Sequence, residues 1–389
     1  MSAINKPFFL LPRTAGRLST FITYSKGDII PESYLFYGLR LFAERAQFLS
    51  SNLSESGANY KFILPFLRIL NWWISRNGGY GGDFDQALWG SHLQHKSDCV
   101  IAYTGRLAFP LIWMRRLRLV PTLPTLFLTN GLPEKLEHFR NEKMRSRLLT
   151  QLNKIELVVT MSKPEGEALK DVYGLTNVLF IPEAVDATYF SPEQTPEVGV
   201  DIDVVSIGAD KYRDFDLVVE VARSRPALRF VIVTTAAWVD KIRESNSCLP
   251  PNLTIVQDIP LQDVRMYLAR SRINLVLVRS NSYSGGTTVV LQGMAMGLPT
   301  ITNKVGSNVD PEFFQDDENI MFVRVGDRRS VLSAIDTIDK SPTYGEILGT
   351  SARRGCLQKR TLEIFHNRLY RAFEFAIAPA KSLNSNYGY

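Results

Sequence analysis

The chain is poor in the residues that mark several common kinds of protein. Only three cysteines, Cys99, Cys248 and Cys356, occur in 389 residues, and they lie far apart. An odd, scattered set supports neither a disulfide framework nor a thiolate metal site, so these read as reduced thiols. Histidine is also scarce, at four residues. The one close pair, His92 and His95, has no thiol nearby, so it reads as structural and no metal is expected. No apolar run reaches the roughly 18 residues of a membrane-spanning helix. The apolar part of MSAINKPFFLLPRTAG is too short for a secretory signal. A cytoplasmic protein is the expectation. No internal repeat is evident, and the one biased tract is the glycine cluster NGGYGGD at 77–83.

Charge of one sign is also not dominant. The formal net charge is +6, with 22 Lys and Arg against 17 Asp and Glu in residues 1–195 and 23 against 22 in the remainder. A mildly basic first half suits an anionic partner, either a phosphorylated molecule or a membrane surface, or simply a solvated face. No nucleic-acid motif accompanies it, so nucleic acid is not an expected partner.

What is present is a soluble composition, 45% hydrophobic and 22% charged, in a chain too long for one core, since single cores rarely grow past about 250–300 residues. Short β-rich runs alternate with helical stretches, the pattern of α/β domains. In the first half, strands are predicted at 18–24 (LSTFITY), 98–104, 125–131, 156–162 and 177–183. Helices are predicted at 35–46, 110–120, 140–154 and 165–174. A fresh series starts at 201–208, with strands at 229–235, 252–258, 273–280 and 300–303 and helices at 214–224, 261–271 and 287–296. The strands are apolar at successive positions, so both sheet faces should be covered by helices. The polar, proline-bearing stretch 185–200 separates the two series. The expectation is two Rossmann-like domains with parallel sheets facing across a cleft, residues 1–190 and 191–360, and a terminal helix in 361–389 crossing back onto the first domain.

Ligands in such sheets sit where strands end and helices begin. The stretch YSGGTTVVLQGMAMGLP, 283–299, follows a predicted strand. Gly285 and Gly286 permit close backbone approach. Thr287 and Thr288 start a helix whose free N–H groups favour an anion, and their hydroxyls add donors. Those features make a diphosphate cradle, or alternatively a turn in which Ser284 or a threonine caps the helix. Gly297 and Pro299 end the helix.

The phrases GMAMGLPTITNKVGSNVD and DDENIMFVRVGD resemble the C-terminal domain of retaining GT-B glycosyltransferases of the family-four (glycosyl transferases group 1) type. IELVVTMSKPEGEALKDVYG and VLFIPEAVDATYFSP resemble the end of that group's N-terminal domain, where IPNGVD is usual. VVSIGADKYRDFDLVVEVA resembles the opening of its C-terminal domain. The resemblance implies the GT-B fold and transfer of a sugar from a nucleoside diphosphate donor to a saccharide or lipid-linked acceptor, with retention and without a metal. The usual motif places two glutamates eight residues apart. Here those positions are Ser284 and Gln292, so Gln292 falls where relatives contact ribose. An amide still accepts and donates hydrogen bonds there. After the tight Gly208 turn, Arg213 stands at the family's phosphate-binding lysine, and Lys211 is close by. Arg213 is thereby assigned to the leaving diphosphate, with surface pairing to Asp210 or Asp214 as the other reading. Asn130 stands near the family's catalytic histidine and is assigned to the acceptor. The loop at 27–34 brings Asp28 and Glu32 to the same side, as acceptor contacts or helix caps.

Two segments bear on the acceptor. KFILPFLRILNWWISR at 61–76 and PLIWMRRLRLVP at 110–121 combine tryptophan, aliphatic residues and arginine. They suit a membrane interface, giving peripheral contact at its inner face, but helices buried beneath the domain with snorkelling arginines are the preferred reading. Alternatives to transfer remain: a sugar-nucleotide epimerase on the same fold, a phosphorylase, for which no cofactor lysine is evident, or a degenerate domain that binds nucleotide sugar without turnover.

Overall fold

A computed structural model describes residues 6–13, 50–54, 62–79, 81–281, 283 and 285–378. It contains two six-stranded sheets, every pairing of which is parallel. The first comprises β1 (Pro7–Leu10), β2 (Ser50–Ser51), β3 (Cys99–Tyr103), β4 (Thr125–Thr129), β5 (Leu157–Thr160) and β6 (Val178–Phe180), in the order β2-β1-β3-β4-β5-β6. The second comprises β7 (Ile202–Ile207), β8 (Phe230–Thr234), β9 (Leu253–Gln257), β10 (Ser271–Val276), β11 (Thr300–Asn303) and β12 (Met321–Val323), in the order β12-β11-β10-β7-β8-β9. Two Rossmann-like domains of the GT-B type result.

Burial on both faces explains the unalternating strands. β1, β3 and β4 are buried at every position. One face of the first sheet packs Phe8, Val100 and Phe127 under the helices. The other packs Phe9, Ile101 and Leu126 against Phe365, Leu369 and Phe373 of the last helix, Leu362–Ile377. That helix thus belongs to the first sheet, although it follows the second in sequence. The Phe215–Ser224 helix shows how local sequence makes an element. Asp214 caps it by accepting from the Leu217 amide, and Phe215, Leu217, Val218, Val219, Val221 and Ala222 are buried.

Several expectations change. The segment at 7–10, considered above only as a failed signal sequence, is a fully buried strand, because PFFL lies between β2 and β3. The predicted strand at 18–24, the helix at 35–46 and the loop with Asp28 and Glu32 lie outside the described residues. β10 ends at Val276 and not at 280, because the chain turns away to pair Val278 with Arg213. The 61–76 segment is not a buried helix. Leu64–Arg76 is helical, and only Leu67 and Ile74 are buried. Phe62, Phe66, Ile69, Trp72 and Trp73 are all about half exposed or more. For 110–121 the outcome is divided: Leu111, Met114 and Val120 are buried, while Leu117 and Leu119 are exposed. Among the described residues, no helix is long and apolar enough to cross a membrane.

Candidate functional site

In the second sheet the chain runs outward from β7 through β8 and β9, then returns to lay β10 on the other side of β7. The loops leaving β7 and β10 therefore diverge, and such a switch point is where open α/β sheets form their ligand crevice. The first loop carries Gly208 to Arg213. The second carries Tyr283, Gly285 and Gly286 into the Thr287–Ala295 helix.

Arg213 is the centre of this crevice. Its side chain is 1% exposed, and its Nη2 donates to Ser206 Oγ at 2.9 Å. Nε and Nη1 are buried and have no partner among the described residues. The guanidinium lies 5.1 Å from the Phe215 ring centre. Burial lowers its pKa to about 10, while Asp210 and Asp214 act in the opposite direction. It is thus still a cation at neutral pH, buried with two idle donors. Leaving such groups unsatisfied is costly.

Two glycines make room for it. A Cβ on Gly208, whose φ is +153°, would stand 2.8 Å from Arg213 Nε. On Gly286, with φ of +82°, a Cβ would meet Val278 at 2.9 Å and Val276 at 3.0 Å, with Arg213 Nη1 at 3.5 Å. Gly286→Ala should therefore destabilise the fold by about 2 kcal/mol, combining a left-handed φ with overpacking. A urea titration reads this, and a loss below about 0.5 kcal/mol would show that the helix start is not so confined.

Gly286 begins the Thr287–Ala295 helix without a side-chain cap. The threonine hydroxyls are already engaged, which corrects their expected role as spare donors. Thr287 donates to Asn308 Oδ1 at 3.1 Å, and Thr288 donates to Glu183. What the helix start offers a ligand is its backbone N–H groups. Gln292 is 5% exposed and lies in the second turn of the same helix. Ser284 lies outside the described residues.

Lys211 reaches across to the first domain. Its Nζ is 3.5 Å from Glu134 Oε2, and the Tyr212 hydroxyl donates to the same oxygen at 3.0 Å. Glu134 belongs to the Leu132–Glu137 helix that follows β4, so these contacts span the two domains. Tyr283 closes the gap beside them. Its hydroxyl donates to Asp210 Oδ2 at 2.6 Å; burial, with this hydrogen bond second, raises its pKa far above the ordinary phenol value. Its ring sits next to Gly131, where an added Cβ would be 3.4 Å away.

Asn130 stands between β4 and the Leu132–Glu137 helix, and its carbonyl accepts from Lys135 Nζ at 3.0 Å. The turn is fixed from below by Glu165, which sequence reasoning missed. This carboxyl is 0% exposed. It accepts from Leu132 N at 2.9 Å and Thr129 Oγ1 at 3.1 Å, while Oε2 has no partner among the described residues. Burial raises its pKa, against the lowering effect of those hydrogen bonds and of Lys135. A carboxyl raised on folding favours the folded state when protonated. This contribution is present at low pH and is lost as pH rises above the ordinary carboxylate range. Glu165→Gln should therefore flatten the fall in melting temperature as pH rises above the ordinary carboxylate range. A melting curve as steep as wild type would contradict this. Among the described residues, no three His, Cys, Asp or Glu side chains are grouped to hold a metal ion.

Comparison with known proteins follows this geometry. The family described as glycosyl transferases group 1 matches residues 210–339, about a third of the chain. No curated protein matches by sequence. Among solved structures, sucrose-phosphate synthase from Thermosynechococcus elongatus superposes with a TM-score of 0.67 at 13% identity, covering 95% of this chain and 98% of that one. HepE from Anabaena, in complex with UDP and glucose, gives 0.66 at 12% identity, covering 95% and 99%. A glycosyltransferase from Rickettsia africae ESF-5 gives 0.61 at 12% identity, covering 96% and 99%. At such identities the likeness establishes the fold. The matched domain lies on the half that carries Arg213 and the Gly286 helix start.

Proposed function

We propose that this protein, a glycosyltransferase of GT-B fold, takes a nucleoside diphosphate sugar at the β7–β10 crevice and passes the sugar to an acceptor held by the first domain. One observation carries this reading: the buried Arg213 cation leaves two donors without partners among the described residues, beside an uncapped helix start. A diphosphate satisfies both donors and adds charge where the helix dipole favours it. Gln292 contacts the ribose. As the glycosidic bond breaks, Arg213 and the N–H groups of Thr287 and Thr288 stabilise the charge growing on the leaving diphosphate. The leaving phosphate accepts the acceptor's proton on the same face, so the sugar keeps its configuration and no metal is required. Asn130 orients the acceptor hydroxyl on a turn braced by Glu165.

The acceptor is a saccharide carried on a lipid, and the first domain meets an anionic membrane surface through the Leu64–Arg76 helix. Its exposed aromatic face supports this. So does the adjoining open hollow of about 850 Å³, which Arg76, His138, Arg140 and Lys143 line. HepE was solved with UDP and glucose, so UDP heads the test. Thermal-shift screening against UDP, GDP, ADP and CMP should show one diphosphate raising the melting temperature. If none does, the donor site is refuted.

A further inference from the structure

A second cavity, of about 560 Å³, lies where the chain passes between the two domains. None of the residues assigned above to donor or acceptor lines it. Both crossings border it: Pro182 belongs to the outgoing connection, and Lys359 and Arg360 to the return. The two run side by side, with Val185 N donating to Arg360 O at 2.8 Å. One wall comes from the first domain, through the Lys163–Asp171 helix and β6. The facing wall comes from residues 310–313 of the second.

The lining has two chemical parts. Val178, Phe180, Pro182, Phe313 and Ile364 give an apolar floor. Around it stand Lys163, Lys170, Lys359, Arg360 and Arg368 against Glu167, Asp310 and Glu312. Asp310 is already committed, because it accepts from Arg360 Nη2. Arg360 is itself 6% exposed, lies 4.4 Å from the Phe313 ring centre, and has an Nε with no partner among the described residues. Among those residues, Lys163, Lys170 and Arg368 make no ion pair with any carboxylate. The cavity is thus lined by apolar side chains and by five cations against three carboxylates, with an idle buried donor in its wall.

We propose that this cavity binds a phosphate ester carrying an apolar group, and that its occupancy biases the angle between the domains. The apolar group covers Phe180 and Phe313, and the phosphate meets Lys170, Arg368 and Arg360 Nε. A ligand touching both walls and both crossings makes contacts that change when the domains rotate. It therefore binds one arrangement better than another and shifts the population accordingly. This inference stands independently of the donor reading.

The test is calorimetric titration of the full chain with phenyl phosphate, alongside inorganic phosphate and phenol. Phenyl phosphate should bind saturably and more tightly than either fragment. The double variant Lys170→Glu/Arg368→Glu, which changes two exposed side chains, should weaken it by at least about tenfold. Arg213→Met should leave that affinity unchanged, because Arg213 lies in the other site. Saturating phenyl phosphate should also change the affinity for UDP by a measurable factor, and UDP should change that for phenyl phosphate equally. No saturable binding, equal binding of inorganic phosphate, or loss only in Arg213→Met would overturn the site. A coupling factor of one would overturn its link to domain angle. Failure of UDP to bind at all would instead count against the donor site, and the charge-reversal arm would still decide this one.

Discussion

Arg213→Met is expected to weaken diphosphate binding strongly while making the unliganded protein more stable. The two effects have one cause. In the unliganded protein a guanidinium that is 1% exposed leaves Nε and Nη1 without partners. Replacing such a buried charge with an apolar side chain of similar length is often neutral or stabilising, here by about 1 kcal/mol or more. The bound diphosphate depends on the same two donors. Losing two charge-assisted hydrogen bonds should weaken it roughly 30- to 1,000-fold. A nucleoside without phosphate should bind both proteins alike. Melting curves with and without UDP, together with titrations of UDP and uridine, read all four quantities. If Arg213 serves only to join Ser206 and Phe215, the variant will be destabilised and its UDP affinity unchanged.

A second large effect is expected on the Leu64–Arg76 helix. Phe66 is 53% exposed and Trp72 58% exposed, so Phe66→Glu/Trp72→Glu should fold as wild type does. Burying such half-exposed aromatic faces in a membrane interface stabilises by about 1–1.5 kcal/mol each. Their loss, with two added negative charges, should weaken sedimentation with vesicles containing one-third phosphatidylglycerol by roughly 100-fold. Arg76 stacks over Trp72, with its guanidinium carbon 5.2 Å from the ring centre, so it can meet the headgroups from beside the inserted ring. Equal vesicle binding by variant and wild type would remove the membrane from the account.

The strands β3 to β11 were legible because they are short apolar runs with β-branched or aromatic residues, as β7, β8 and β10 show, whereas β2 (Ser50–Ser51) and β12 (Met321–Val323) were not anticipated. Periodicity could not identify β1, because four consecutive apolar residues near a terminus fit a strand, a helix or a failed signal equally well. The same limit applies to the Leu64–Arg76 helix. Its sequence is apolar on nearly every side, so only tertiary placement reveals that Phe66 and Trp72 face outward. In the site, Gly286 was readable from local chemistry, as a glycine pair before a helix start, whereas Arg213 came from its place at the family's phosphate-binding lysine. Lys211 was equally basic and equally close in sequence, yet Glu134 and Tyr212 hold it at the domain boundary. Such a partner, 77 residues away, leaves no local trace. Glu165 was hidden for the same reason. Glu183 did leave a signal, since it replaces the asparagine in the family phrase IPNGVD, and the structure places its carboxylate on Thr288.

The most direct measurement is calorimetric titration of the wild-type protein with UDP, GDP, ADP and CMP and their parent nucleosides. The account predicts micromolar-range binding, on the order of −8 kcal/mol, for one diphosphate and far weaker binding of its nucleoside. Diphosphate and nucleoside binding with equal affinity, or neither binding at millimolar concentration, would contradict it.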